Sequence, residues 1–98
     1  MKINIKKHGD SVTVALDGRL DTKTAPELEA KISDLKGAND VVLDLEKVDY
    51  VSSAGLRVIL SMQKTVSGKG GMKVINVDSN VMDIFEVTGF SEILNIEQ

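Results

Sequence analysis

DVVLDLEKVDYVSSAGLRVIL, residues 40–60, holds the change of period on which the fold turns. Val41, Val42, Leu43 and Leu45 make a short apolar run, from Asp40 to Glu46, with the look of a buried strand. From Leu56 the spacing lengthens: Leu56, Ile59, Leu60 and then Met62 and Gln63 to Val66 mark one side of a helix. Between the two patterns stand Ser52 and Ser53, followed by the small residues Ala54 and Gly55. Strand, serine-bearing junction and helix thus follow in direct succession.

Upstream, Ile3 and Ile5 alternate with polar residues, and Val12, Val14 and Leu16 do the same after His8-Gly9-Asp10-Ser11. Two period-2 runs about a Gly-Asp turn predict a hairpin. Asp17-Gly18-Arg19-Leu20-Asp21 breaks the pattern. Thr24-Ala25-Pro26-Glu27 then reads as a helix start, with Thr24 at N-cap and Glu27 completing a capping box. Leu28, Ile32 and Leu35 fall on one face of that helix, and Gly37 ends it.

Downstream, the Ser-Gly-Lys-Gly-Gly run over residues 67–71 terminates the second helix, and Met72 to Val77 predicts a fourth strand. Asp78 or Ser79 caps a third helix in which Val81, Ile84 and Phe85 face inward until Gly89 stops it. Ile93 to Ile96 predicts a short edge strand. The order is an N-terminal β-hairpin followed by alternating helices and strands. It defines an α/β fold, a mixed sheet with helices packed on it and parallel pairing after the hairpin.

Ninety-eight residues, 42% of them hydrophobic, suit one domain over residues 1–98 and are too few for two. Only three side chains are aromatic (Tyr50, Phe85 and Phe90), so the core rests on Val, Ile, Leu and Met. A net charge of −3 with interspersed signs argues against nucleic acid as a partner. The most basic stretches, Lys6-Lys7-His8 and Lys69 to Lys73, are short and carry no interleaved aromatics. Absence of cysteine excludes disulfides, thiolate metal sites and a cysteine nucleophile. Met1 to Asp10 does not read as a secretory signal, and no run of eighteen apolar residues occurs. The expectation is a cytoplasmic protein that does not insert into a membrane.

Few residues offer chemistry. The glycines around Lys69 leave a helix and enter a strand, the reverse of a phosphate loop. His8 is the sole histidine, beside a turn, and cannot build a metal site or a Ser-His-Asp triad alone. Asp44 and Glu46 point to one face of their strand, with Asp49 in the turn beyond, and nothing there resembles a cation loop. Asp17 and Asp21 bracket a crossover loop at one end of the sheet. Serine is a favoured N-cap, and one cap needs one serine. A hydroxyl in the first turn also stands where free amides stabilise a phosphate. Arg57 follows Ser53 by four residues on the same face, able to pair with a phosphate or to sit in solvent, and Ser61 and Lys64 extend that polar face. Spacing alone leaves both roles open to this pair of serines.

Taken together, the chain from about Val12 to Ile96 resembles a single-domain STAS protein of the anti-sigma factor antagonist family. The resemblance rests on Gly18-Arg19-Leu20-Asp21, Val41-Val42-Leu43-Asp44-Leu45, Ser52-Ser53-Ala54-Gly55-Leu56, Met72-Lys73-Val74-Ile75-Asn76-Val77 and Phe85-Glu86-Val87-Thr88-Gly89-Phe90, in that order. The family's central motif is Asp-Ser-Ser/Thr/Ala-Gly-Leu, whose first serine is phosphorylated. Matched to it, that serine is Ser53, with Ser52 as second choice, and the family's Asp falls on Ser52. Asp21 matches an acidic position near the loop. Asp21, Ser52, Ser53, Ala54, Gly55, Arg57 and Ser61 are therefore the expected partner-binding residues. The resemblance implies a non-enzymatic switch, a monomer when free and without cofactor. Its partners would be an anti-sigma factor with GHKL-type serine kinase activity and a PP2C-type phosphatase. The alternative is an unphosphorylated, constitutive STAS subunit, as in lipid-transport ABC complexes.

Overall fold

A computed structural model describes residues 1–66 and 70–97. Residues 67–69, the middle of the expected glycine-rich connector, and residue 98 lie outside the described residues. The hairpin pairs β1 (Lys2–His8) with β2 (Ser11–Asp17) in antiparallel register, Lys2 opposite Asp17 and His8 opposite Ser11. Gly9, at φ +61°, takes the first turn position, where only glycine is unstrained.

β3 (Asp40–Lys47) pairs parallel with β2, β4 (Gly71–Ile75) with β3, and β5 (Asn95–Glu97) with β4, so the five strands lie in sequence order. Right-handed crossovers that always step the same way place every helix on one side of the sheet. Burial follows that rule. Val12, Val14 and Leu16, Val41, Leu43 and Leu45, and Met72 and Val74 are buried on the helical side. Thr13, Ala15, Val42, Asp44 and Ile75 on the opposite side stay half-exposed. Ile59 and Met62 of α2 (Ser53–Thr65) and Val81 and Phe85 of α3 (Ser79–Thr88) complete the core.

The first helix departs from the sequence reading. It is continuous only over α1 (Ala25–Glu29), and a 3₁₀ turn over Ile32–Leu35 follows. Lys31, Asp34 and Lys36 donate to carbonyls three residues back. Ile32, Ser33 and Asp34 are weak helix formers, and the tighter turn still keeps Leu28 and Leu35 buried. Its cap also lies further upstream. Thr24 caps nothing with its side chain. Instead the Asp21 carboxylate accepts from the amides of Lys23 (3.0 Å) and Thr24 (3.1 Å), and Thr24 Oγ1 accepts from the Asp21 amide (2.9 Å). The Ala25 amide donates to the Asp21 carbonyl at 2.8 Å. This is a reciprocal capping box shifted three residues upstream, with Asp21 as its anchor.

Both ends of α3 match their signals, whereas the edge strand expected over Ile93 to Ile96 forms over Asn95–Glu97. Asp78 accepts from the Val81 amide at 2.9 Å, and Gly89 ends α3 at φ +83°. β4 stops at Ile75, two residues short of the expected strand, because Asn76 turns into the left-handed region at φ +57°.

Candidate functional site

β2 and β3 run parallel, so their C-terminal ends deliver two loops to the same end of the sheet. A short backbone zipper joins these loops. The Gly18 amide donates to the Lys47 carbonyl (3.1 Å), the Leu20 amide to Tyr50 (3.0 Å), and the Ser52 amide back to Leu20 (2.8 Å). Leu20 and Val51, paired by an isolated parallel bridge, are both buried beneath the zipper. The start of α2 is thereby fixed to the loop that carries Asp21.

The two serines divide their work. Ser52 is the N-cap: its backbone is extended (φ −85°, ψ 173°), its Oγ accepts from the Gly55 amide at 3.2 Å, and its carbonyl accepts from Leu56 at 2.9 Å. Ser53 is the first residue of α2, exposed, and its hydroxyl has no hydrogen-bond partner among the described residues. Gly55 is buried and turned inward. A Cβ there would lie 2.7 Å from Leu20 Cγ and 3.0 Å from the Leu20 carbonyl oxygen. Its lack of a side chain lets the helix sit on the Leu20 segment, rather than clearing space for an approaching molecule.

Asp21 sits beside this junction. The Thr24 amide, with lesser help from Lys23, the Thr24 hydroxyl and Arg19, holds its carboxyl below the usual carboxylate range against a smaller desolvation effect. Thr24 Oγ1 also donates to the Arg19 carbonyl at 2.6 Å, which locks the loop. Arg19 Nε lies 3.8 Å from Asp21 Oδ2, and the Arg19 guanidinium stacks over the Tyr50 ring at 4.5 Å. Arg57 and Ser61 are exposed at one-turn intervals after Ser53. Ala54, Arg57 and Val58 form one wall of an open groove of about 210 Å³, and Thr22, Ala25, Pro26 and Glu29 form the other.

Of the expected site residues, Asp21, Ser52, Ser53, Ala54 and Arg57 come together at this edge. Ser61 continues the stripe along α2, and Gly55 lies beneath it. Sequence reading missed Tyr50 as a site residue, the stacking role of Arg19, and the α1 wall of the groove. The sole tyrosine standing two residues before the serines was a usable signal; its meeting with Arg19 needed the zipper. His8, at the hairpin turn, and Gly70, bonded to the Asn39 carbonyl at 3.1 Å, lie at the opposite end of the sheet. Asp44 faces the open side, where its Oδ1 accepts from the Glu46 amide (3.0 Å) and from Asn76 Nδ2 (3.1 Å).

A sheet wound in one direction with helices on one side, and a serine-capped helix zipped to a Gly-Arg-Leu-Asp loop, define a small α/β module. The STAS domain model matches residues 2–98, and the chain belongs to the STAS domain family. Among relatives, it is 34% identical to BtrV of Bordetella bronchiseptica, over 98% of this chain and 85% of that protein. It is 30% identical to the anti-sigma-B factor antagonist of Bacillus subtilis, over 98% and 90%. An anti-sigma factor antagonist from Mycobacterium paratuberculosis superposes with a TM-score of 0.86 at 22% identity, covering 97% of this chain and 83% of that one. The Bacillus cell fate determinant SpoIIAA in its phosphorylated form gives 0.72 at 19% identity, covering 99% and 92%. No helix among the described residues is long and apolar enough to cross a membrane.

Proposed function

We propose that this protein is an anti-sigma factor antagonist, a single STAS domain over residues 1–98 controlled by reversible phosphorylation of Ser53. The observation that carries the proposal is the division of labour at the start of α2. Ser52 is committed to the cap, while Ser53 presents an exposed hydroxyl, without a partner among the described residues, at the first helical position. The names of the relatives, and the existence of a phosphorylated form of a protein with this fold, support it.

The partner is an anti-sigma factor with GHKL-type serine kinase activity. It engages the edge formed by Asp21, Ser52, Ser53, Ala54, Arg57 and Ser61. Ser53 Oγ bonds to the γ-phosphorus of the kinase's nucleoside triphosphate as the bond from that phosphorus to the leaving diphosphate breaks. The hydroxyl proton passes to a base on the kinase. A PP2C-type phosphatase returns the hydroxyl by hydrolysis. The phosphate adds roughly −1.5 to −2 charges to a contact shaped for a neutral hydroxyl, so repulsion and desolvation release the partner without refolding. On this reading the chain is substrate and ligand, catalyses nothing itself, needs no cofactor, and works in the cytoplasm as a monomer when free. It binds no nucleic acid and inserts in no membrane.

Phosphopeptide mapping of the protein from its own cells, across growth and stress, tests this. Phosphate on Ser53 that varies with condition is expected, together with loss of kinase binding in Ser53→Asp. A fully covered peptide that is never modified would overturn the switch and favour a constitutive STAS subunit.

A further inference from the structure

We propose that Arg57 is the intramolecular counter-ion of a phosphate on Ser53, so that modification both adds charge to the partner-facing edge and withdraws a cation from it. This rests on the assignment of Ser53 as the modified residue and specifies how that modification is read. Ser53 opens α2 and Arg57 follows one helical turn later, both exposed. Residues four apart on a helix have Cβ atoms roughly 6 Å apart, and the order of anion before cation is the favourable one. A guanidinium can bind two phosphate oxygens at once.

The surroundings leave Arg57 available. It makes no ion pair among the described residues, where the salt bridges are Arg19 with Asp21 and Lys73 with Glu97. No acidic residue occupies the first turn of α2, and the cap beside Ser53 is the neutral Ser52. On the facing wall of the groove the one acidic residue is Glu29. The Asp21 carboxylate is engaged by the Lys23 and Thr24 amides and lies beside Arg19. Further along α2 the next residue on the stripe is the neutral Ser61, with Lys64 beyond it. A phosphate on Ser53 is therefore the strongest anion within one turn of this guanidinium.

With a free hydroxyl at position 53, Arg57 projects from the edge and is open to an acidic group on the partner. With phosphate there, the pair closes on itself, and the partner loses that attraction as it meets the new charge. The two effects have the same sign, which sharpens the switch without any movement of the sheet.

The test installs phosphoserine at position 53 during translation, so no kinase is required, and follows the phosphate by ³¹P NMR titration. The second phosphate pKa, about 6 for a free phosphoserine, is expected to lie about 0.3 unit lower in the otherwise unaltered protein than in Arg57→Gln. Arg57→Lys should restore part of the difference, and salt at about 1 M should erase it. The Arg57 Nε–H resonance should shift with the same midpoint. Superposed titrations with and without the Arg57→Gln substitution, both proteins being folded by circular dichroism, would overturn the inference alone. A Ser53 that is never modified in cells would instead overturn the functional assignment beneath it.

Discussion

Gly55→Ala adds one methyl group at the point where α2 rests on the Leu20 segment. Within a helix the change is ordinarily favourable by about 0.8–1 kcal/mol, because alanine loses less backbone entropy. Here the new carbon would lie 2.7 Å from Leu20 Cγ, 3.1 Å from Leu20 Cδ2 and 3.0 Å from the Leu20 carbonyl oxygen. Leu20 is fully buried, so its side chain has no solvent to swing into. Its carbonyl already accepts the Ser52 amide at 2.8 Å, so retreat of that backbone loosens the cap of α2. Overpacking of this kind costs about 1–3 kcal/mol; contact with a buried side chain and a committed carbonyl puts this case in the upper half of that range, of which the helix gain offsets about 1 kcal/mol. The expected net loss is about 1–2 kcal/mol, which for a chain of this size lowers Tm by about 5–10 °C. Thermal and urea unfolding followed by circular dichroism measure it. In a Leu20→Ala background two of the three contacts vanish, and the cost of Gly55→Ala should shrink to less than half. A Tm equal to or above that of the unmodified protein would show that helix propensity decides the site and that α2 does not sit on Leu20 as described.

Ser52→Ala should destabilise the fold by about 1 kcal/mol through loss of the cap, while Ser52→Asp keeps it; equal Tm values for the alanine and aspartate variants would contradict the capping role. Asp21→Asn retains a capping acceptor but removes a carboxylate whose folded pKa is depressed, chiefly by the Thr24 amide. The Tm advantage of the unaltered protein over Asp21→Asn should therefore be full above the unfolded value of about 3.9 and disappear as pH falls through the lower folded pKa, and a gap constant from acid to neutral pH would refute it. A double-mutant cycle of Arg19→Ala and Tyr50→Ala should give a coupling of about 0.5–1 kcal/mol in urea unfolding, where additivity would deny the stacking.

Periodicity made most of the fold legible. The alternating residues around Gly9 specified the hairpin, and the passage from Val41-Val42-Leu43 to the Leu56-Ile59 stripe specified strand then helix. Singly directed winding and one covered face follow from that order once crossover handedness is applied. What escaped was local competition among caps. Thr24 with Glu27 and Asp21 with Thr24 are both capping pairs on paper, and the second forms because the zipper at Leu20 holds the Asp21 carboxylate over the amides of residues 23 and 24. The early end of α1 escaped for a related reason. Leu28, Ile32 and Leu35 satisfy an α-helical stripe, but a 3₁₀ turn keeps the same residues inward, so apolar spacing cannot distinguish them. At the candidate site, Ser52, Ser53 and Arg57 were visible because they lie on one element. Arg19 and Tyr50 were not paired, because their contact joins loops far apart in the chain and is created only by the parallel bridge between Leu20 and Val51.

That bridge also explains why an uncharged serine suffices at position 52, where the motif that the sequence resembles would place aspartate. An aspartate at an N-cap does two things: it accepts an amide and it places a negative charge on the first turn. The position of α2 in this protein depends on the first and not on the second. The helix start is already fixed by the Ser52 amide on Leu20, by the Leu56 amide on the Ser52 carbonyl, and by the close seat of Gly55 on Leu20. A hydroxyl at 3.2 Å from the Gly55 amide completes the cap without charge. The consequence is electrostatic rather than architectural. With Ser52 neutral, no carboxylate in the first turn opposes a phosphate on Ser53, and the cation one turn along is Arg57. A neutral cap thus presents Ser53 at the first helical position and spares a phosphate there the repulsion that a carboxylate in its own first turn would exert.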